Sequence, residues 1–185
     1  MISLLYPGNI KRKYTKETTY DNRGMGLEYV LEMANQYYRD KGIAYIYKKP
    51  TPIHVVKVDY KKSKKITEAY YEAPSTLDFN GVYKGRYIEF DAKETKRKSS
   101  FPISNVHEHQ IKHIRNVLSQ KGIVFLIIKL AEKYYLLPGD VFLNFVDNKE
   151  RKSIPANFLE NNAYPLFLKL RGLDYIDVVD KLIGG

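Results

Sequence analysis

The 185-residue sequence contains no cysteine, which excludes disulfide frameworks, cysteine-ligated zinc and thiol nucleophiles. It also lacks a long apolar run: Ile123 to Leu130, the most apolar stretch, falls far short of the ~20 residues that span a bilayer. Met1 to Pro7 carries a short apolar patch but no cleavable signal pattern, so a soluble, cytoplasmic protein without a membrane partner is expected. No glycine-rich phosphate loop is present, and nucleotide hydrolysis has no support. No His-Glu-x-x-His zinc motif occurs either. Of His107, His109 and His113, only the last two have i, i+4 spacing, and all three read as polar helix surface. Internal repeats and low-complexity blocks are missing as well.

What remains is a globular composition, 44% hydrophobic and 28% charged, of a length suited to one domain. Thirty-one Lys and Arg against 21 Asp and Glu leave a net charge of +10. That excess favours an anionic partner, nucleic acid before a membrane surface. Residues 1–23 read as a flexible basic arm (Lys11, Arg12, Lys13, Lys16, Arg23), and residues 24–185 as a single domain.

Leu27, Val30, Leu31, Ala34 and Tyr38 recur at helical spacing, with Asn22 or Gly24 near the start and Gly42 as the stop. Ala44 to Tyr47 reads as a short strand. Two further strands, Ile53 to Tyr60 and Ile66 to Tyr71, form a hairpin within a projection of about residues 53–74. Its link holds Lys61, Lys62, Lys64 and Lys65, and reads equally as a solvated basic tip or a tip that touches DNA. Strand patterns run from Leu77 to Tyr83 and from Arg86 to Lys93 about a Lys84-Gly85 turn. A loop over Glu94 to Ile103 then leads to a helix around Asn105 to Gln120. Buried strands are expected at Ile123 to Leu130 and Lys133 to Leu137, then a helix near Val141 to Val146 and an amphipathic segment ending at Gly184. The order describes an α/β or α+β fold with a mixed sheet.

Chemistry concentrates in Tyr87-Ile88-Glu89-Phe90-Asp91-Ala92-Lys93. Period-two alternation puts Asp91 and Lys93 on one face of a strand, about 7 Å apart. Asp78, in the preceding strand, folds back opposite them. Two converging carboxylates suit a hard cation such as Mg²⁺, and Lys93 beside it adds positive charge where a phosphate transition state builds negative charge. An exposed Asp–Lys ion pair is the bland alternative. Glu89 shares the face but stands off the motif, and Glu94 points to the other side.

Asp78…Asp91-Ala92-Lys93 is similar to the PD-(D/E)xK signature of the restriction-endonuclease-like superfamily. Asn22-Arg23-Gly24-Met25, Lys49-Pro50-Thr51-Pro52, Ser75-Thr76, the run Gly81 to Arg86, Ala92-Lys93-Glu94-Thr95-Lys96 and His107-Glu108-His109-Gln110 resemble the RecU family of bacterial Holliday-junction resolvases. The resemblance spans roughly residues 22–140. It implies a restriction-endonuclease-like α/β fold, a mixed sheet flanked by helices with a protruding hairpin stalk. It also implies a homodimer that nicks two opposed strands of a four-way DNA junction, leaving 5′-phosphates, with Mg²⁺ (or Mn²⁺ in its place) and recombinase or branch-migration partners. The family's metal set carries over onto Thr76, Asp78, Asp91 and Gln110, the last through its carbonyl oxygen, with Lys93 as transition-state stabiliser. The family usually has Glu where this chain has Asp91, one methylene shorter.

Glu28, on the first helix, sits where related nucleases complete the metal shell, or is simply a carboxylate favoured by the helix dipole; Glu32 is not separated from it by spacing. The stalk lysines, Arg23 and Lys96 are the expected DNA contacts. Tyr60, Tyr70 and Tyr71 are open to base stacking or to packing. Ile53, Val55, Val56 and Val58, with the tail, are candidates for the dimer surface. A catalytically silent junction-binding accessory protein, and a restriction or repair nuclease acting on duplex or damaged DNA, are the rival readings.

Overall fold

The computed structural model describes residues 26–60, 64–71, 76–148 and 151–184. The basic arm with Arg23, Asn22 and Gly24, and the tip residues Lys61 and Lys62, lie outside them. Helix α1 (Leu27–Asp40) forms where the apolar stripe recurs, and the whole of that stripe is buried. Its N-cap is Gly26. Lys41 caps its C-terminus, and Gly42 turns the chain away at φ +64°.

A seven-stranded mixed sheet takes the order β1 (Tyr45–Lys48), β4 (Phe79–Tyr83), β5 (Arg86–Thr95), β7 (Ile123–Leu130), β8 (Lys133–Pro138), β10 (Tyr164–Lys169), β11 (Gly172–Asp174). β5 and β7 run parallel, joined through helix α2 (Glu108–Ser119), and the other neighbours are antiparallel. The β4–β5 hairpin turns at Lys84-Gly85, both at positive φ (48° and 74°), the backbone a two-residue turn needs to follow strand twist.

The sheet divides two cores. On one face Ile46, Phe79, Phe90, Phe125 and Tyr175 pack with α1 and helix α5 (Ile176–Ile183). Phe79, Phe90 and Phe125 stack across three adjacent strands at centroid spacings of 4.8 and 4.9 Å. On the other face Val124, Leu126, Ile128 and Leu137 pack with α2, helix α3 (Gly139–Asp147) and helix α4 (Ala156–Asn162). Asp91, whose register partner is Leu126, belongs to this second face. This is the mixed α/β architecture expected, a central sheet with helices on both sides.

Gly81 lets β1 and β4 approach. A Cβ there would lie 2.0 Å from the Tyr45 carbonyl oxygen and 2.7 Å from Ile46 Cα, both backbone atoms that cannot move aside. Gly81→Ala is therefore expected to cost ~1–3 kcal/mol of stability by overpacking, read as a lower denaturant midpoint. A wild-type midpoint would contradict that tight approach.

Strands β2 (Ile53–Asp59) and β3 (Lys65–Tyr71) form the expected hairpin and, among the described residues, pair only with each other. Nearly every residue on both of its faces is exposed.

Four expectations are corrected. The strand expected from Leu77 begins at Phe79, so Asp78 lies just outside β4. The loop expected from Glu94 is partly strand: β5 continues to Thr95 because Glu94 and Thr95 still pair with Lys129 and Leu130 of β7. Within the rest of it, β6 (Ser100–Pro102) pairs with β9 (Ser153–Pro155), leading into a 3-10 turn at Ile103–Asn105. The second helix starts at Glu108 rather than Asn105, because His107 is held extended (φ −70°, ψ 155°) as its N-cap.

Candidate active site

The β4–β5 register pairs Phe79 with Phe90 and Asn80 with Glu89, so one step beyond β4 Asp78 stands opposite Asp91. Antiparallel partners share a face, and the two carboxyls meet on the α2 side of the sheet. The Lys49 N–H donates to the Asp78 carbonyl at 2.8 Å and fixes this turn against the end of β1.

The Asp91 side chain is fully buried. Its Oδ2 accepts from Lys93 Nζ at 2.8 Å and from Gln110 Nε2 at 2.9 Å. Its Oδ1 is buried and has no hydrogen-bond donor. An unsatisfied carboxylate oxygen in an apolar surround costs ~1–3 kcal/mol or more, so a native chain keeps one for a reason. Burial, and then the neighbouring Asp91 carboxylate, push the Asp78 carboxyl up to about 7, against the opposing pull of Lys93 and the Ala92 N–H. Two carboxylates crowded in this way, one with an orphaned oxygen, form a donor set that fits a hard divalent cation.

Gln110 is buried through a capping box. Its Oε1 accepts from the His107 N–H at 3.1 Å, which leaves its Nε2 to donate to Asp91. The carbonyl expected to face a metal thus serves the helix terminus, because four orphan N–H groups there need acceptors. Thr76 is half-buried two residues before Asp78. Glu28 is not drawn into the pair: its side chain is half-exposed and bound to Lys48. The Lys48 ammonium is raised chiefly by that hydrogen bond, with further charge from Glu28, Glu32 and Asp78. Among the described residues no cluster of three His, Asp or Glu side chains forms. Lys64, Lys65 and Lys96 are exposed.

Glu89, which stands off the motif in the sequence, is fully buried, and its oxygens accept from Lys49, the Leu77 N–H, Tyr87 and His113. Burial raises its carboxyl, but the hydrogen bonds and charges of Lys49 and His113 outweigh burial and hold it below the usual carboxylate range. His113 is accordingly no plain surface residue. The one sequence signal for Glu89 was its place on the Asp91 face. Its partners are 12 to 40 positions away, apart from Tyr87, and come together only in the fold.

Among the described residues no helix is long and apolar enough to cross a membrane. A family model described as recombination protein U matches residues 22–181. Among the proteins similar over most of their length are three named Holliday junction resolvase RecU. That of Bacillus subtilis (strain 168) is 48% identical over 170 residues, covering 89% of this chain and 82% of the relative. That of Bacillus licheniformis is 47% identical over 173 residues, covering 90% and 87%. That of Staphylococcus aureus (strain JH9) is 47% identical over 172 residues, covering 89% and 83%. Among solved structures, Archaeoglobus fulgidus Hjc, a Holliday junction resolvase, aligns over 73% of this chain and 94% of its own at TM-score 0.40 and 8% identity. With a family model matched over residues 22–181 and relatives 47–48% identical over more than four fifths of each chain, the chain belongs to the recombination protein U (RecU) family, whose relatives named here are Holliday junction resolvases.

Proposed function

We propose that this protein is a homodimeric, Mg²⁺-dependent endonuclease of the cytoplasm that resolves Holliday junctions by paired symmetric nicks during recombination and repair. The observation that carries this reading is the buried, donor-free Oδ1 of Asp91, a carboxylate that lies beside Asp78 and bonds Lys93 through its other oxygen. Asp78 and Asp91 would hold the cation, Mg²⁺ or Mn²⁺, with the Thr76 hydroxyl, two residues before Asp78, as a further ligand. When bound, it supplies an activated water and neutralises charge on the scissile phosphate. Lys93 presents a cation where negative charge accumulates at phosphorus. Gln110 orients Asp91 by donating to the oxygen that Lys93 also holds, which leaves the other oxygen free to bind a cation. Glu28, already occupied by Lys48, acts on the site only through that lysine.

Two opposed nicks need two equivalent sites, which a C2 dimer provides. The hairpin supports this: an isolated two-stranded ribbon is marginal in water, and Ile53, Val55, Val56 and Tyr71 are exposed on it. A second copy, with junction DNA against the lysine tip, covers that surface in this reading.

The deciding experiment is cleavage of an end-labelled four-way junction beside linear duplex, with Mg²⁺ or EDTA, for wild type and Asp78→Ala. Symmetric junction nicks lost with EDTA and with Asp78→Ala are expected. Tight junction binding without cutting under any divalent metal would instead make the protein a silent accessory factor, and equal cutting of duplex would make it a general nuclease.

Replacing Lys61, Lys62, Lys64 and Lys65 together with Ser is expected to weaken junction binding by on the order of tenfold and to flatten its salt dependence. Duplex binding should fall less. Equal losses in a gel-shift titration would reduce the tip to a general phosphate contact.

A further inference from the structure

We infer that Glu89 is a positioning residue for the metal site, acting with Lys49 and His113 to hold in register the separate chain segments that carry the cation's ligands. This rests on the metal-site reading above.

The placement of its partners carries the inference. Glu89 lies two residues before Asp91 on the same face of β5, and its side chain is 0% exposed. Its Oε1 accepts from Leu77 N–H at 3.4 Å, and Leu77 is the residue between Thr76 and Asp78. Its Oε2 accepts from His113 Nε2–H at 2.6 Å, and His113 is one turn beyond Gln110 on α2. Lys49, bound to Oε1, is also the residue whose N–H holds the Asp78 carbonyl, and it leads into the hairpin. Tyr87 completes the set at 3.0 Å. One carboxylate thus joins the Asp78 turn, the Asp91 strand, the Gln110 helix and the foot of the hairpin.

Such an anion must keep both oxygens as acceptors, because every group facing it is a donor. The isosteric amide of Glu89→Gln offers one acceptor oxygen and turns an NH₂ onto donors, which breaks the register on at least one side. A residue with only a packing role would lower stability without altering the cation's affinity in the molecules that remain folded. A positioning residue alters that affinity, as partners behind metal ligands do by ~10–100-fold.

The test is calorimetric titration of the purified full chain with Mg²⁺ alone, beside thermal unfolding in EDTA, for wild type, Glu89→Gln, Glu89→Asp and His113→Ala. Glu89→Gln is expected to weaken Mg²⁺ binding by ~10–100-fold with junction affinity in EDTA within about twofold of wild type. Glu89→Asp, which keeps the anion, should recover most of the loss, and His113→Ala should lose affinity by a smaller factor. If Glu89→Gln fails to fold, His113→Ala decides on the same titration, since that side chain reaches the surface. Folded variants with wild-type Mg²⁺ affinity would overturn the inference alone. A wild type that binds no Mg²⁺ would overturn the metal-site reading beneath it.

Discussion

Lys93→Ala is expected to lower junction cleavage by at least ~10²–10³-fold, the range found when a preorganised charge-stabilising donor is removed from an active site. Junction binding should stay within about twofold of wild type. The separation follows from where Lys93 sits: its ammonium bonds Asp91 Oδ2 at 2.8 Å, and its side chain is only 18% exposed. A lysine so enclosed contributes little to the diffuse attraction of a polyanion, for which exposed lysines such as Lys64, Lys65 and Lys96 are better placed. Beside the buried Asp91, where water is scarce, its charge would act strongly on a phosphate under attack. Lys93→Arg keeps the charge but replaces a compact ammonium with a planar fork, and should recover only part of the rate. Single-turnover cleavage with saturating protein, beside a gel-shift titration in EDTA, separates the two effects. Normal turnover by Lys93→Ala would remove it from the chemistry, and a parallel loss of binding would make it a DNA contact.

Asp78→Asn is expected to move stability and activity in opposite directions. Without metal, the ionised Asp78 is opposed by burial and by Asp91, which is why its carboxyl rises to about 7. A folded-state value above the unfolded one favours the protonated form, so that contribution is intact below about pH 4 and is lost as pH climbs through 7. Asparagine cannot ionise, and its amide can donate to the unsatisfied oxygen of Asp91. In EDTA at pH 8 the variant should therefore melt higher than wild type, by ~2–4 °C for each kcal/mol relieved, and the gap should narrow toward pH 5. Added Mg²⁺ should raise the melting temperature of wild type and leave that of the variant nearly unmoved. Cleavage should fall to background. Calorimetry in EDTA at both pH values, followed by Mg²⁺ titration, reads each part. An unchanged Mg²⁺ isotherm would remove Asp78 from the cation's ligands, and a lower melting point at pH 8 would contradict the crowding of the two carboxylates.

The residues legible in the sequence were those whose neighbours are local. Period-two alternation placed Asp91 and Lys93 on one face, and the Lys84-Gly85 turn placed Asp78 opposite them, as the observed register does. The first helix, the stalk hairpin and the two buried strands follow from patterns only a few residues wide. The tail was harder. β9, β10 and β11 are short, two of them carry proline, and β9 and β10 are set by pairing with distant strands rather than by their own periodicity.

The sequence by itself determined the central mixed sheet, the acidic pair with its lysine and the basic surplus, because alternation, turn chemistry and charge are properties of neighbouring residues. Tertiary structure alone decided the remainder. Burial made Glu89 a hub instead of a bystander and drew His113 inward from the helix surface. The needs of a helix terminus turned the Gln110 carbonyl to the His107 N–H and its amide to Asp91. Lys48 took up Glu28. In each case the cause is the same: a polar group removed from water must find a partner, and which partner it meets is fixed by segments far apart along the chain.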